Sequence, residues 1–413
     1  MQHTLRVFTP FALAASLHAA ETNTTGKGIG NMCHWLEDNP GTLYKNKKNP
    51  WIQSFKLGGL MHYQTAWLSG SDEFGYDFND DYDELRRLRL ESKTRFLKFL
   101  TASLDIDLAD DERLRSGASD DLLKGWDDYD LYWGFQGFDE ATVELDLGKA
   151  TDIDWLDNTS LTFGKMKLET GWERRQSSNE IFTLERSDLS NTLGGNDSRP
   201  VGLLAEIDRK RWGAELGMFT GSDETNVTGN WDEGVFLLAG ASYRPLKDLE
   251  LRVQHVKAEP SAQDDVLGYA SATVLEAVYQ KDQWGILSDA VLGENGDVWE
   301  TDRQGTFGGL VIMPWYWAIE KRLQFVFRYQ LMVADEPEGI RTSPRYLRAG
   351  HEDPLVDINK GRGNELNSFY AGANYQFCGD NLKIMTGFSF DRLNTPGGDV
   401  YTRTILVGLR TSF

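Results

Sequence analysis

Apolar and polar residues alternate with a period of two through most of the chain from Trp51 to Phe413. That period marks strands, since successive side chains of a strand point to opposite faces. In 98–108, Leu100, Ala102, Leu104, Ile106 and Leu108 alternate with Thr101, Ser103, Asp105 and Asp107. In 322–333, Leu323, Phe325, Phe327, Tyr329, Leu331 and Val333 oppose Gln324, Arg328 and Gln330. Sixteen segments read this way: 52–68, 85–95, 98–108, 127–147, 160–167, 200–208, 211–220, 234–244, 248–258, 268–280, 284–292, 304–316, 322–333, 366–377, 382–391 and 400–413. Tyr129, Leu131, Trp133, Phe135, Ala141, Val143, Leu145 and Leu147 share one parity, so 127–147 reads as one long strand; a hairpin at Gly137 and Phe138 is the rival reading. Most segments have about the nine to eleven residues that a tilted strand needs to cross a bilayer.

The links between segments alternate short and long, as in membrane barrels with tight turns at one end and loops at the other. Long links fall at 69–84, 109–126, 168–199, 221–233, 259–267, 293–303, 334–365 and 392–399; the link 148–159 should be short and is not. The pattern predicts an all-β, transmembrane antiparallel barrel of about 16 strands, polar inside and apolar outside. A soluble sandwich or propeller is the alternative, but it needs polar outer faces. The final strand ends on Phe413 with Ile405, Val407 and Leu409 outward, resembling the C-terminal signal of outer-membrane barrels. The 13 Trp and 15 Tyr suit interfacial girdles as well as ordinary packing.

Composition changes the picture in three ways. The opening MQHTLRVFTPFALAASLHAA has a basic residue, an apolar run and small residues before Glu21, which reads as a signal peptide over 1–20. Residues 21–50 are polar and turn-rich, a periplasmic segment of irregular character, and the barrel takes 51–413. A net charge of −21 argues against nucleic acid as a partner. The two cysteines, Cys33 and Cys378, are too few for a disulfide scaffold. Both fall at the short-link end, so a disulfide tying the N-terminal segment to a turn and a pair of free thiols are both open.

Candidate chemistry gathers in two places. In ELRRLRLESK, Arg87, Arg89 and Lys93 face the lumen opposite Leu88 and Leu90, and at the strand mouth either twist or a bulge would let Arg86 join them. Arg328, Lys383 and Arg410 also face inward, which makes one wall relatively basic and the opposite wall, from 98 to 220, relatively acidic. These arginines either pair with lumen acids such as Asp105, Asp107 and Glu144 or line an anion path. The link 168–199, about thirty residues long, is far beyond the median connection. If it folds inward, Arg174, Arg175, Ser177, Ser178, Arg186 and Arg199 form an oxyanion-binding set; if it lies outside, they are surface charge beside Glu173, Glu180 and Glu185. His62, His255 and His351 sit in no catalytic motif, and no metal-ligand or phosphate-cradling spacing stands out, so no enzyme activity and no cofactor is expected.

The Arg86 and Arg87 pair, the run GKMKLETGWERRQSSNEIFTLERS and Arg199 ahead of PVGLLAEI together resemble the phosphate-selective porin O and P family, most specifically over about 84–210. The resemblance implies a homotrimer of sixteen-stranded barrels in the bacterial outer membrane, in contact with its lipid, whose third loop folds into the channel. It implies that Arg86 and Arg87 are wall arginines of the constriction and that Arg174, Ser177, Ser178 and Arg186 are loop ligands. The phosphate-binding members carry lysines where this chain has Arg174 and Asn179, and Asn179 is neutral. The expected function is passive diffusion of small anions, phosphate or polyphosphate foremost. The alternatives are a weakly selective porin for small polar solutes and a structural or adhesive barrel.

Overall fold

The computed structural model describes residues 33, 36, 41–109, 133–195, 199–223, 225–296, 303–342 and 355–413. The expected signal peptide, most of residues 21–40, residues 127–132 of the fourth expected strand, and His351 lie outside the described residues.

A four-residue strand, β1 (Thr42–Lys45), precedes the barrel. The wall then runs through β2 (Ile52–Ser71), β3 (Asp77–Phe96), β4 (Leu100–Ala109), β5 (Trp133–Asp146), β6 (Thr159–Lys165), β7 (Val201–Asp208), β8 (Trp212–Gly221) and β9 (Asn230–Leu246). It continues through β10 (Leu249–Ala258), β11 (Ser271–Lys281), β12 (Trp284–Glu294), β13 (Thr306–Ile319) and β14 (Leu323–Ala334). The short β15 (Ile340–Arg341) and β16 (Arg362–Gly363) pair with each other in a loop. Then β17 (Glu365–Gln376), β18 (Leu382–Asn394) and β19 (Asp399–Ser412) complete the wall, and β19 pairs with β2. Sixteen antiparallel strands thus form a closed barrel. Closure leaves no unpaired backbone edge toward lipid, where each orphan group would cost several kcal/mol.

The outward parity holds where it was read: Phe325, Phe327, Val333, Phe369 and Ile405 are exposed, while Gln324, Arg328, Gln330, Asn374 and Arg410 are buried. Leu292 is 75% exposed and Leu216 63%, an apolar surface that lipid can solvate and water cannot. Trp212 pairs with Tyr243 and Trp284 with Tyr316 beside the short turns, forming part of an aromatic girdle at that rim. β1 continues this ladder in an unexpected place. Gly41 and β1 bind the edge of β2 just beyond the point where Phe413 ends its own pairing with Gly59. The segment 21–50 is therefore not wholly irregular: its last residues cover the edge that the C-terminus leaves open.

Three further expectations are corrected. The links expected at 69–84 and 392–399 are tight turns, because β2 and β3 each run for 20 residues and β18 reaches Asn394. Strand ends that stand clear of lipid need no apolar face, so alternation does not mark them. β5 passes through Gly137 and Phe138 without a hairpin, but the register shifts at Asp139, so one parity does not run its whole length. The third correction is larger: the interior is not polar all round, because the inward face of β8–β14 mixes polar residues with many apolar ones. Phe219, Phe236, Leu238, Val256, Val274, Leu287, Val291, Val311, Met313, Val326 and Met332 point inward from β8–β14 and are buried. They pack with Leu168, Trp172, Leu184, Leu189 and Leu193 of the third loop in one cluster. The long link 148–159 stands as expected, with a helical turn at Leu147–Thr151.

Candidate functional site

The third loop, residues 166–200, leaves β6 and returns to β7 through the inside of the barrel. Its first fold is a helical turn, Trp172–Arg175, begun by Gly171 at φ 77°. A side chain at Gly171 would carry both left-handed strain and a Cβ 3.3 Å from Asp289 Oδ2. The free amides at the start of this turn donate to the wall: Gly171 N to Gln254 Oε1 of β10 at 2.8 Å, and Trp172 N to Asp289 Oδ2 of β12 at 3.2 Å. Trp172 stacks on Trp315 of β13 with centroids 6.2 Å apart, and Phe182 lies 5.0 Å from the same ring. A second turn, Asp188–Leu193, is capped by Ser187, whose hydroxyl accepts from Ser190 N at 3.1 Å. The β10–β11 loop closes over it, Tyr269 donating its hydroxyl to Leu193 O at 3.1 Å.

Most loop charges are engaged in holding this shape. Glu173, 2% exposed, accepts from Arg328 of β14 at 2.8 Å and from Ser187 N at 3.1 Å. Arg328 therefore lies beneath the loop, as does Arg410, whose guanidinium donates to the carbonyls of Ser178 at 2.9 Å and Leu184 at 2.5 Å. Lys383 is buried too and pairs with Asp380. Arg175 makes a two-pronged pair with Glu276 of β11 at 2.6 and 2.5 Å. Arg174 is buried with its Nε on Leu168 O at 3.2 Å. Ser177 is exposed and its hydroxyl accepts from Asn179 N at 3.2 Å, whereas Ser178 is buried.

The remaining charges meet on the other side. Beside Arg86 the ladder between β2 and β3 shifts register, and Arg86 reaches in to Glu185 of the loop at 2.8 Å. A second shift at Asp139 brings that carboxylate against Arg89 of β3 at 2.7 Å and Arg199 of the loop at 2.8 Å. Two bulges thus aim opposite charges at one region. Arg89 also approaches Asp107 at 3.4 Å, so the pairing of interior arginines with lumen acids holds for it. Arg87 is different. It is 6% exposed, lies 3.4 Å from His62 Nδ1, and has Arg86, Arg186, Glu185 and Arg89 within its electrostatic reach. Arg186, 7% exposed, donates to the carbonyls of Glu173 at 2.8 Å and Gln176 at 3.0 Å. Among the described residues neither Arg87 nor Arg186 touches a carboxylate.

Lys167 adds a cation that the loop motif did not single out; it sits 3.0 Å from Glu169 and 3.3 Å from Gln176 O. Burial, then the nearby Arg199 and Arg186 guanidiniums, pull its ammonium down to about 8 against the support of Glu169. Burial and Arg199 lower Arg186 to about 10, which leaves it charged at neutral pH. Arg199 goes the other way: burial is outweighed by Asp139, which raises it.

The free side of the lumen is the β3–β7 wall. Lys93, Glu91, Ser103, Asp105, Asp107, Glu140, Glu144, Thr162 and Glu206 point inward there and are half-exposed or exposed, in contrast to the packed wall of β8–β14. The loop therefore divides the barrel into an apolar seat and a charged passage. Of the expected residues, Arg86, Arg89 and Arg199 pair with acids on the β3–β5 side, Arg87 and Arg186 are buried near them, and Arg174, Arg175, Ser178 and Arg328 are packed in the loop and its seat. Sequence reading missed Lys167, Asp139, Glu169 and His62. A signal for Asp139 was present in the paired acids of FDEATV, where strict alternation fails. The disulfide that was left open is formed, joining Cys33 to Cys378.

The model of the phosphate-selective porin O and P family matches residues 55–268, just over half of the chain. No curated protein matches the chain. Among solved structures, the outer membrane channel DcaP of Acinetobacter baumannii is similar at 12% identity and TM-score 0.54, over 90% of this chain and 100% of that one. The anion-selective porin from Comamonas acidovorans aligns at 13% identity and TM-score 0.52, over 87% of this chain and 99% of that one. Salmonella typhi OmpF in complex with daunomycin aligns at 14% identity and TM-score 0.54, over 90% of this chain and 100% of that one. At these identities the likeness is one of fold.

Proposed function

The chain belongs to the phosphate-selective porin O and P family and is by family and fold an outer-membrane porin, and from that premise we propose that it passes small anions passively, with phosphate-like oxyanions the foremost permeant. The observation that carries this reading is the pair formed by Arg87 on the wall and Arg186 on the loop. Both are cations, each lies within reach of further cations, and among the described residues neither contacts a carboxylate, although Glu185 lies within electrostatic reach of both. An anion entering between them sheds water and gains charge-assisted hydrogen bonds worth roughly 1.5–3 kcal/mol each. Arg86, Arg89, Arg199 and Lys167 lie around this pair, each paired with an acid and Arg89 with two, and make weaker steps on either side. Several weak sites in series pass an ion better than one deep trap. Arg174, Arg175, Ser177, Ser178 and Arg328 support this constriction by fixing the loop.

A second reading, a weakly selective porin for small polar solutes, is favoured by the acid row Glu91, Asp105 and Glu140. These residues face one another directly across β3, β4 and β5 on the free wall. Removal of residues 1–20 on export and assembly as a homotrimer belong to both readings. Planar-bilayer recording tests them. Anion-selective steps whose chloride current is blocked by phosphate support the first; cation preference, or a chloride current indifferent to phosphate, overturns it.

A further inference from the structure

Asn179, the neutral residue where the resemblance implies a lysine, has a defined structural partner. Its amide Nδ2 donates to Asp380 O and, at 2.8 Å, to Ser412 Oγ. The Ser412 hydroxyl donates onward to Asn381 Oδ1 at 3.0 Å, and Asn381 Nδ2 donates to Leu36 O at 2.7 Å. A continuous relay therefore runs from the tip of the third loop, through the last strand and the turn Cys378–Asn381, to the N-terminal segment. That turn is also the one held covalently, by Cys33–Cys378. The same four residues carry the loop tip on one side and the N-terminal segment on the other. A lysine at 179 would bring a charge and three donors to a place that offers one backbone carbonyl and one hydroxyl.

We propose that Asn179 is a positioning residue: it docks the tip of the constriction loop on a turn that the Cys33–Cys378 disulfide clamps, so that the state of the disulfide sets how firmly the constriction is held. The inference rests on the porin reading for its functional meaning, but the docking itself does not require conduction. Opening the clamp is a balanced exchange. A dithiol reductant gives two electrons and two protons to the Sγ–Sγ bond, leaving two cysteine thiols, and closes to its own cyclic disulfide. The turn then loses its covalent tie and, among the described residues, keeps the hydrogen bond from Asn381 to Leu36. Each hydrogen bond that docks the tip shifts the balance of docked over released tip by about fivefold, so losing both Asn179 bonds shifts it about thirtyfold.

Hydrogen–deuterium exchange over residues 176–184 of the folded, full-length barrel tests this. Exchange should rise about five- to thirtyfold in Asn179→Ala, by the two bonds at stake. It should also rise in C33S/C378S and in wild type treated with dithiothreitol, whose two thiols are verified by mass. Asn179→Ala combined with either reduction or C33S/C378S should add little to the larger change alone, because both act on one docking step. Unchanged exchange over 176–184 in the reduced protein or in C33S/C378S overturns the clamp; where the serine variant does not fold, the reduced wild type decides. Fully additive effects overturn the relay. Protein that conducts no ions yet shows the exchange change counts against the channel reading alone, and conducting protein without the change counts against the clamp alone.

Discussion

Among the described residues Arg87 contacts no carboxylate, and the nearby Glu185 and Asp139 keep Arg86, Arg89 and Arg199 as partners, so the Arg87→Gln barrel should assemble normally. What is lost is one charge-assisted contact to the permeant, roughly 1.5–3 kcal/mol. At about 1.4 kcal/mol per factor of ten, the phosphate concentration that half-blocks the chloride current should rise about 10- to 150-fold. Arg186→Gln should act in the same direction. That variant also frees the carbonyls of Glu173 and Gln176, so loosening of the loop must be separated from loss of charge. Arg186→Lys does this: it keeps the charge while giving up the forked geometry, and it should retain most of the block. The control is the pair change R175Q/E276Q, which removes one cation and one anion in contact behind the loop and leaves the net charge as it was. Bilayer recordings at 0.1 M and 1 M salt give reversal potential and block together. Exposed loop charges would lose their influence at the higher salt, where the Debye length falls to about 3 Å, while lumen charges keep theirs. Conducting Arg87→Gln channels with unchanged reversal potential and unchanged block would refute the reasoning. So would a shift of equal size in R175Q/E276Q.

Lys167, held near 8 chiefly by burial, is charged below that pH and neutral above it. Anion preference should therefore fall as pH rises through about 8, and Lys167→Gln should show the low preference throughout; a pH-independent reversal potential in wild type would contradict this. Glu173→Ala leaves Arg328 buried without its carboxylate, a change that costs about 3–5 kcal/mol in a buried pair. The loop should detach, with higher single-channel conductance and faster tryptic cleavage between 172 and 199. Trp172→Ala removes the ring stacked on Trp315 and should cost about 3–5 kcal/mol of loop docking, read as the same two changes without any change in charge.

The wall was legible in the sequence because lipid enforces a single rule on it. Outward residues must be apolar and the backbone must pair throughout, so alternation in segments such as 322–333 maps directly onto β14. Where lipid does not reach, the rule lapses. DFNDDYDE carries no outward apolar face, yet it is the first half of β3, paired residue by residue with β2 above the membrane. A bulge at Arg86 was one of the openings the sequence offered, but that at Asp139 was harder, because one inserted residue leaves no more trace than a single lapse of parity. The inward loop was anticipated from its length and its resemblance, but not its seat. A signal for the seat existed: GILSDAVLG and TFGGLVIMPW are apolar on both faces, Leu287, Val311 and Met313 inward and Ile286, Leu292 and Ile312 outward. An inward apolar face in a barrel needs an apolar partner, and the loop supplies Leu168, Trp172, Leu184, Leu189 and Leu193.

That seat explains why the loop's many charges do not all serve the passage. A loop held only by polar contacts inside a wet barrel would exchange them for water at little cost, since net hydrogen bonds contribute about 1 kcal/mol each. Burying a Trp and several Leu against β8–β14 contributes about 1.5–3 kcal/mol for each side chain and is indifferent to salt. Once the apolar seat excludes water, Arg328 with Glu173 and Arg175 with Glu276 become expensive to break and fix the orientation of the loop on it. The order of dependence then runs one way: apolar packing places the loop, buried ion pairs set its angle, and only the charges left facing β3–β7 are free to meet a solute. On the proposed reading the long loop divides its arginines by side, with Arg174 and Arg175 belonging to the seat and Arg186 and Arg199 to the passage. Substitutions on the seat side should alter conductance and noise before selectivity, and substitutions on the passage side should alter selectivity first.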